Sequence, residues 1–218
     1  MQEKIQKHLR ALVGAGLDVG YCAKVGQVDV RLAARGPEAS KLLSDAGHIV
    51  RERLSGSIFG VDDEELEEVI VRLLTERKQT LAIAESCTGG FIANRITNVP
   101  GASVVFLAGL VTYSNEAKEQ FLGVRPETLA QHGAVSEAVA HEMADGARTK
   151  TRASFALSVT GTAGPGGGTT EKPVGTVFIG LSAPAGTVVE RHFNPYERET
   201  FKQITAQQAL DKLRLALI

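Results

Sequence analysis

Tryptophan is absent, and phenylalanine and tyrosine together make up only 5% of the 218 residues. Surfaces that stack sugars or RNA bases are built from such side chains, so stacking is a poor basis for function here. Cysteine is scarce too. Cys22 and Cys87 are too few for a disulfide framework or a four-cysteine zinc site, and both read as thiols of a reducing compartment. No run approaches ~18 consecutive apolar residues, and the opening Met1-Gln2-Glu3-Lys4 lacks the apolar stretch of a secretory signal. The expectation is a soluble, cytoplasmic protein with no membrane partner. Charge of one sign is lacking as well: 24 Lys+Arg against 25 Asp+Glu leave a net charge of -1. That removes the overall attraction a dedicated nucleic-acid binder has for its partner.

Apolar residues, by contrast, reach 43%, enough for a sizeable core, and the 23 glycines point to the tight turns of an α/β protein. The length lies between one ordinary domain of ~100–150 residues and two. The pattern divides near residue 60. In residues 1–60, Ile5, Leu9, Leu12 and Val13 recur at helical spacing and Gly14 and Gly16 stop that helix. Two short β runs, 17–23 and 27–33, follow, and Gly36-Pro37 opens a second helix to about Arg53. This αββα unit carries nine Lys/Arg against six Asp/Glu, whereas residues 61–218 carry fifteen against nineteen, so the near-neutral total hides a basic and an acidic half.

After the turn-rich stretch 55–60, Asp62-Asp63-Glu64-Glu65 places acids at the start of a helix expected over 62–77. Then come a strand over 80–85, a helix from about 89 to 97, a strand over 104–113, and helices over 114–121 and 136–148. Strands over 154–160, 175–182 and 187–193 and a helix over 197–217 complete the chain. Interleaved helices and apolar β runs predict a three-layer α/β/α sandwich. The last two strands, separated by Ala183-Pro184-Ala185-Gly186, form a hairpin, which makes the sheet mixed.

Three polar segments carry chemistry. The run Leu81-Ala82-Ile83-Ala84 leads into Glu85-Ser86-Cys87-Thr88-Gly89-Gly90 and a helix. A hydroxyl there sits at the carboxyl end of a strand, beside helix-start N–H groups that stabilise a developing negative charge. Ser86 is therefore a candidate nucleophile. The alternatives are that Ser86 or Thr88 only caps the helix, or that Cys87 is the nucleophile or a small buried thiol. Neither the G-x-S-x-G elbow nor S-x-x-K fits, since Ala84, Thr88 and Gly89 stand at the required positions, so the base must come from elsewhere. In Thr112-Tyr113-Ser114-Asn115-Glu116-Ala117-Lys118, Ser114 is a candidate N-cap with Lys118 one turn in. Charge near a helix start is disfavoured, so Lys118, if desolvated, is a neutral base; otherwise it is a solvated surface lysine. Tyr113 either packs or touches a flat substrate. The third segment, 160–170, holds five glycines and four threonines, whose N–H and hydroxyl groups suit an anion such as phosphate if it is not merely a flexible loop. It is neither a Walker loop nor a dinucleotide fingerprint. Parallel strands would deliver all three segments to one sheet edge. Arg198 is either a phosphate ligand or part of a surface ion pair. His132 and His141 have no partners at metal-ligand spacing, so neither a metal nor a cofactor is expected.

Ala84-Glu85-Ser86-Cys87-Thr88-Gly89-Gly90, Tyr113-Ser114-Asn115-Glu116-Ala117-Lys118, His132-Gly133-Ala134-Val135-Ser136 and Val159-Thr160-Gly161 with Ala163-Gly164-Pro165-Gly166-Gly167-Gly168 resemble the C-terminal domain of the CinA (competence/damage-inducible) family. That domain also occurs alone as nicotinamide-nucleotide amidase, and the resemblance spans about residues 61–218. It implies deamidation of nicotinamide mononucleotide to nicotinate mononucleotide and ammonia, without a metal. It further implies Ser86 as nucleophile, Lys118 as general base and Tyr113 beside them, with Glu85, Thr88, Gly89, Thr160, Gly161, Thr162, Gly164, Gly166 and Arg198 around the substrate.

Residues 1–60 look like the KH-like middle domain of longer CinA proteins, but the Gly-x-x-Gly loop that clamps nucleic acid is missing, Ala23-Lys24-Val25-Gly26 being a different loop. A packing or dimerisation role in a homo-oligomer is expected rather than nucleic-acid binding. The N-terminal pyrophosphatase domain of full-length CinA is a further expected partner, the chain being a fragment or a separate product. A second reading of the function is a catalytically silent nucleotide-binding module that acts with that domain.

Overall fold

The computed structural model describes residues 2–218, in two compact units that meet between Asp63 and Glu64. In the first, helix α1 (Gln2–Gly14) is followed by the antiparallel pair β1 (Asp18–Lys24) and β2 (Gln27–Ala33) and by helix α2 (Ala39–Leu54). The expected αββα order is present. Its core is the apolar face of the two helices, Ile5, Leu9, Ala46, Val50 and Leu54, closed by Val19, Val30 and Leu32 from one side of the hairpin.

The second unit begins with α3 (Leu66–Arg77), four residues later than the acidic run suggested. Asp62 lies in the left-handed region at φ 57, and Glu65 is the N-cap of a capping box in which the Glu68 carboxylate accepts from the Glu65 N–H at 3.0 Å. The acids precede the helix because one of them terminates it. Next come β3 (Leu81–Glu85), α4 (Phe91–Thr97), a short 3₁₀ turn (Ala102–Val104) and β4 (Phe106–Val111). The expected helix over 114–121 is one turn of α-helix, α5 (Asn115–Ala117), running into a π turn, Lys118–Leu122. Helix α6 (Pro126–His132) had no counterpart in the sequence reading; it opens on Pro126 and buries only Thr128 and Leu129, too little for an apolar period. Helix α7 (Glu137–Thr151), β5 (Phe155–Gly161), β6 (Thr176–Ala183), β7 (Gly186–Phe193) and α8 (Arg198–Leu217) complete the unit.

The five strands form one mixed sheet in the order β4-β3-β5-β6-β7. Strands β4, β3 and β5 are parallel, while β6 and β7 are antiparallel to their neighbours. Helices flank it as an α/β/α sandwich. Every residue of β3 is buried, as its unbroken apolar run requires at the centre of a parallel group, whereas the edge strand β4 alternates in exposure. On one face Ala82, Ala84 and Ala156 pack against Val139, Met143 and Ala147 of α7. Helix α8 lies against β5 and β6, next to α3 and α4. No helix among the described residues is long and apolar enough to cross a membrane.

Candidate active site

Because β3, β4 and β5 run parallel, the three polar segments emerge at one edge of the sheet. The turn after β3 is bonded to β5 through the Ser86 N–H and the Val159 carbonyl at 3.0 Å, and the Thr112 N–H donates to the Glu85 carbonyl at 2.9 Å. Ser86, Cys87, Tyr113, Lys118, Ala134, Gly161, Ala163 and Arg198 line a cavity of about 200 Å³ there.

At its floor the Lys118 Nζ lies 3.2 Å from the Ser86 Oγ. The lysine is 1% exposed. Its amine also points at three carbonyl oxygens, of Thr112 at 2.9 Å, Tyr113 at 3.2 Å and Ser114 at 3.4 Å. The Ser114 Oγ caps α5 by accepting from the Ala117 N–H at 3.1 Å, and the π turn then aims Lys118 back under the strand ends. Burial pushes this amine below the ordinary lysine value, against smaller opposing pulls from Cys87 and Glu116. A neutral amine has two N–H groups and a lone pair. With two carbonyls accepting the hydrogens, the lone pair is left to face the Ser86 hydroxyl.

Cys87 is 6% exposed, and burial, with the Glu85 charge adding to it, pushes its thiol up to about 12 despite nearby Lys118 and Arg198. It therefore lines the cavity as a neutral thiol.

Glu85 is placed differently from the expectation of a substrate contact. It is fully buried, and its carboxylate accepts from the N–H groups of Gly90 at 3.0 Å, Ile92 at 3.1 Å and Ala93 at 2.8 Å. It thus caps α4, the role that Ser86 or Thr88 would have had on the capping reading. The two glycines before the helix take positive φ of 63° and 93°, which lets the chain double back over that carboxylate. Thr88 is fully buried and absent from the lining, with no partner for its Oγ1 among the described residues. Thr160 is also behind the wall; its hydroxyl donates to the Ala134 carbonyl at 2.7 Å and so holds a lining residue. Gly161 lines the cavity directly, and a Cβ there would meet the Thr176 carbonyl oxygen at 2.8 Å. Thr162 is bonded through its backbone to Gly175 and Thr176, while a Cβ on Gly166 would meet nothing within 4 Å.

Among the described residues Arg198 makes no ion pair. Its guanidinium donates to the Gly164 carbonyl at 3.0 Å and to the Tyr113 hydroxyl at 3.0 Å, joining the glycine loop to the segment after β4. Ala134 and Ala163 line the cavity without having been singled out for chemistry; small apolar side chains carry no such signal. His141 does meet a carboxylate, Asp145 one turn on, at 3.3 Å, with Ser182 and Thr187 donating to that carboxylate's other oxygen. Among the described residues no three His, Cys, Asp or Glu side chains are grouped to hold a metal.

Residues 63–217 match the family described as CinA C-terminal domain. The chain is 47% identical over 206 residues to a CinA-like protein of Geobacter sulfurreducens, covering 93% of this chain and 50% of that protein. To a CinA-like protein of Geotalea uraniireducens it is 45% identical over 207 residues, covering 94% and 49%. The chain thus spans about half the length of the curated relatives it matches. Among solved structures, the competence/damage inducible protein CihA of Agrobacterium tumefaciens superposes with a TM-score of 0.66 at 44% identity, over 74% of this chain and 98% of that one. A CinA superfamily protein of Escherichia coli gives 0.68 at 29% identity, over 75% and 98%.

Proposed function

The chain belongs to the CinA C-terminal domain family, and from that premise we propose that it is an amidohydrolase converting nicotinamide mononucleotide and water to nicotinate mononucleotide and ammonia. The observation that carries this reading is the buried Lys118 amine 3.2 Å from the Ser86 hydroxyl. Neutral Lys118 takes the Ser86 proton as the Oγ attacks the carboxamide carbon. The resulting oxyanion lies beside the Cys87 and Thr88 N–H groups, since the other N–H groups of the turn are taken, Ser86 by the Val159 carbonyl, Gly89 by the Ser86 carbonyl and Gly90 by Glu85. The protonated lysine then hands its proton to the departing nitrogen, which leaves as ammonia, and an acyl ester remains on Ser86. A water molecule, deprotonated by the regenerated amine, cleaves the ester to the carboxylate.

The cavity, smaller than the ~300–1,000 Å³ of a drug-sized site, suits one heterocyclic ring with its carboxamide. Tyr113, 61% exposed, forms the wall against which the flat ring rests. The neutral thiol of Cys87 keeps a competing anion out of the floor. The test is ammonia release from nicotinamide mononucleotide by the purified chain. Release that vanishes in Ser86→Ala is expected. Release undiminished in that variant would overturn the nucleophile, and none from the wild-type chain would favour the silent nucleotide-binding module.

A further inference from the structure

Ala134 lines the cavity but comes from neither of the strand-end segments that carry Ser86 and Lys118. It sits in the connection between α6 and α7, where three consecutive carbonyls are each held by a side chain. The Ser136 hydroxyl donates to the Gly133 carbonyl at 2.9 Å, and the Thr160 hydroxyl to that of Ala134 at 2.7 Å. The first of the three, the His132 carbonyl, accepts from the Lys172 Nζ at 2.6 Å. Ser136 is local and Thr160 belongs to the sheet, whereas Lys172 reaches over from the far end of the glycine loop, 40 residues on. Its side chain is not part of the lining.

Lys172 is itself fixed. A turn from Thr169 to Lys172 is closed by two bonds, from the Thr169 N–H to the Lys172 carbonyl at 3.0 Å and from the Lys172 N–H to the Thr169 hydroxyl at 3.1 Å. Arg191 of β7 donates to the adjacent Glu171 carbonyl at 2.8 Å, with its guanidinium over the Phe178 ring. At the loop's other end Arg198 holds the Gly164 carbonyl. The exposed glycines between these anchors thus belong to a strap pinned at both ends. A charged donor makes a shorter and stronger bond to a carbonyl than a neutral one, and the last carbonyls of a helix are where a cation is favoured. Gly133, at φ 71, turns the chain there, with the place for a Cβ 4.0 Å from the same Nζ. Ala163 from the strap and Ala134 from the connection both stand in the cavity wall, so the Lys172 bond sets the two parts of that wall relative to each other.

We infer that Lys172 is a positioning residue for the reaction: acting through Ala134, its bond to the His132 carbonyl holds the wall that keeps the carboxamide aligned with Ser86. This rests on the amidase reading, and the test separates the two. Ammonia release from nicotinamide mononucleotide is followed in Lys172→Met and Lys172→Arg. Amide hydrogen exchange of the peptide over residues 129–136 is read by mass in the same proteins. Lys172→Met should lower kcat about tenfold with KM changed less than twofold, because a misplaced wall costs alignment. The peptide should exchange about tenfold faster while α8 exchanges as in the wild-type chain. Lys172→Arg, which can donate to the same carbonyl, should restore both kcat and exchange. Unchanged kcat in Lys172→Met would overturn the role, and with faster exchange it would mark a bond that only stabilises. A loss of kcat with exchange untouched, or exchange raised throughout α8 as well, would overturn it too. Exchange changed as expected, with no ammonia release from the wild-type chain, would overturn the amidase reading and leave the clamp on Ala134 standing.

Discussion

Lys118 and Ser86, 32 residues apart in sequence, meet at 3.2 Å between Nζ and Oγ, with the lysine held from its other side by the carbonyls of Thr112 and Tyr113. An ammonium in that place donates to all of them. A neutral amine can instead accept the serine proton, and burial biases the pair toward that state.

The first prediction concerns this proton. Lys118→Met and Ser86→Ala should each lower the rate of ammonia release by about 10³-fold or more. In the wild-type chain kcat/KM should climb with pH and level off above the lowered Lys118 value, which lies under the ordinary 10.5. A rate–pH profile that is flat, or falls over that range, would rule out lysine as the base.

Stability should carry the same signature. The folded-state pKa of Lys118 is depressed, so between that value and 10.5 the unfolded chain binds more protons than the folded one. The slope of unfolding free energy with pH is then positive across this window. Urea unfolding of wild type and Lys118→Met at stepped pH should show wild type gaining on the variant as pH rises. A constant difference would mean that the lysine is not perturbed.

Glu85 is expected to act through structure. Its carboxylate is fully buried and satisfies three N–H groups at the start of α4. Glu85→Ala leaves them without acceptors and should cost roughly 2–4 kcal/mol in urea unfolding. A loss below about 0.5 kcal/mol would show that water replaces the carboxylate freely.

Gly146 on α7 should govern the lysine from a distance. A Cβ there would stand 1.9 Å from the Leu122 carbonyl oxygen, at the end of the π turn that begins with Lys118. Gly146→Ala should destabilise the chain by ~1–3 kcal/mol and lower kcat as the turn shifts. Full activity at wild-type stability would mean that the turn tolerates displacement.

The two thiols should separate cleanly. Cys22 is exposed, while Cys87 is buried with its pKa raised to about 12. Iodoacetamide at pH 8 should label Cys22 alone, as read by peptide mass, and Cys87→Ala should keep most of its turnover. Turnover abolished in a folded Cys87→Ala chain would move the nucleophile from Ser86 to Cys87.

Much of this was legible in the residues. The unbroken run Leu81-Ala82-Ile83-Ala84 marks a strand buried on both faces, and the interleaving of helices with such runs leaves an α/β/α sandwich as the natural way to bury them. Glycine pairs and short polar segments at strand ends mark where chemistry gathers, and the motifs around Ser86 and Lys118 tie the chain to its family. These signals are local: a period, a turn, a cap.

What the tertiary structure decided is which local possibility each residue took. Whether Lys118 is a solvated surface side chain or a buried amine depends on a π turn, and no propensity distinguishes that turn from an α-helix. Whether helix-start N–H groups await a substrate or are already occupied depends on which way Glu85 points. Its alternation along β3 puts it under α4, and three of those groups are spent. The partners of Arg198 lie 34 and 85 residues away, on segments that meet it only when parallel strands end together. Sequence determines the elements because their hydrogen bonds and apolar periods span a few residues. The site is decided by the packed fold, because burial and the pairing of distant groups exist only there.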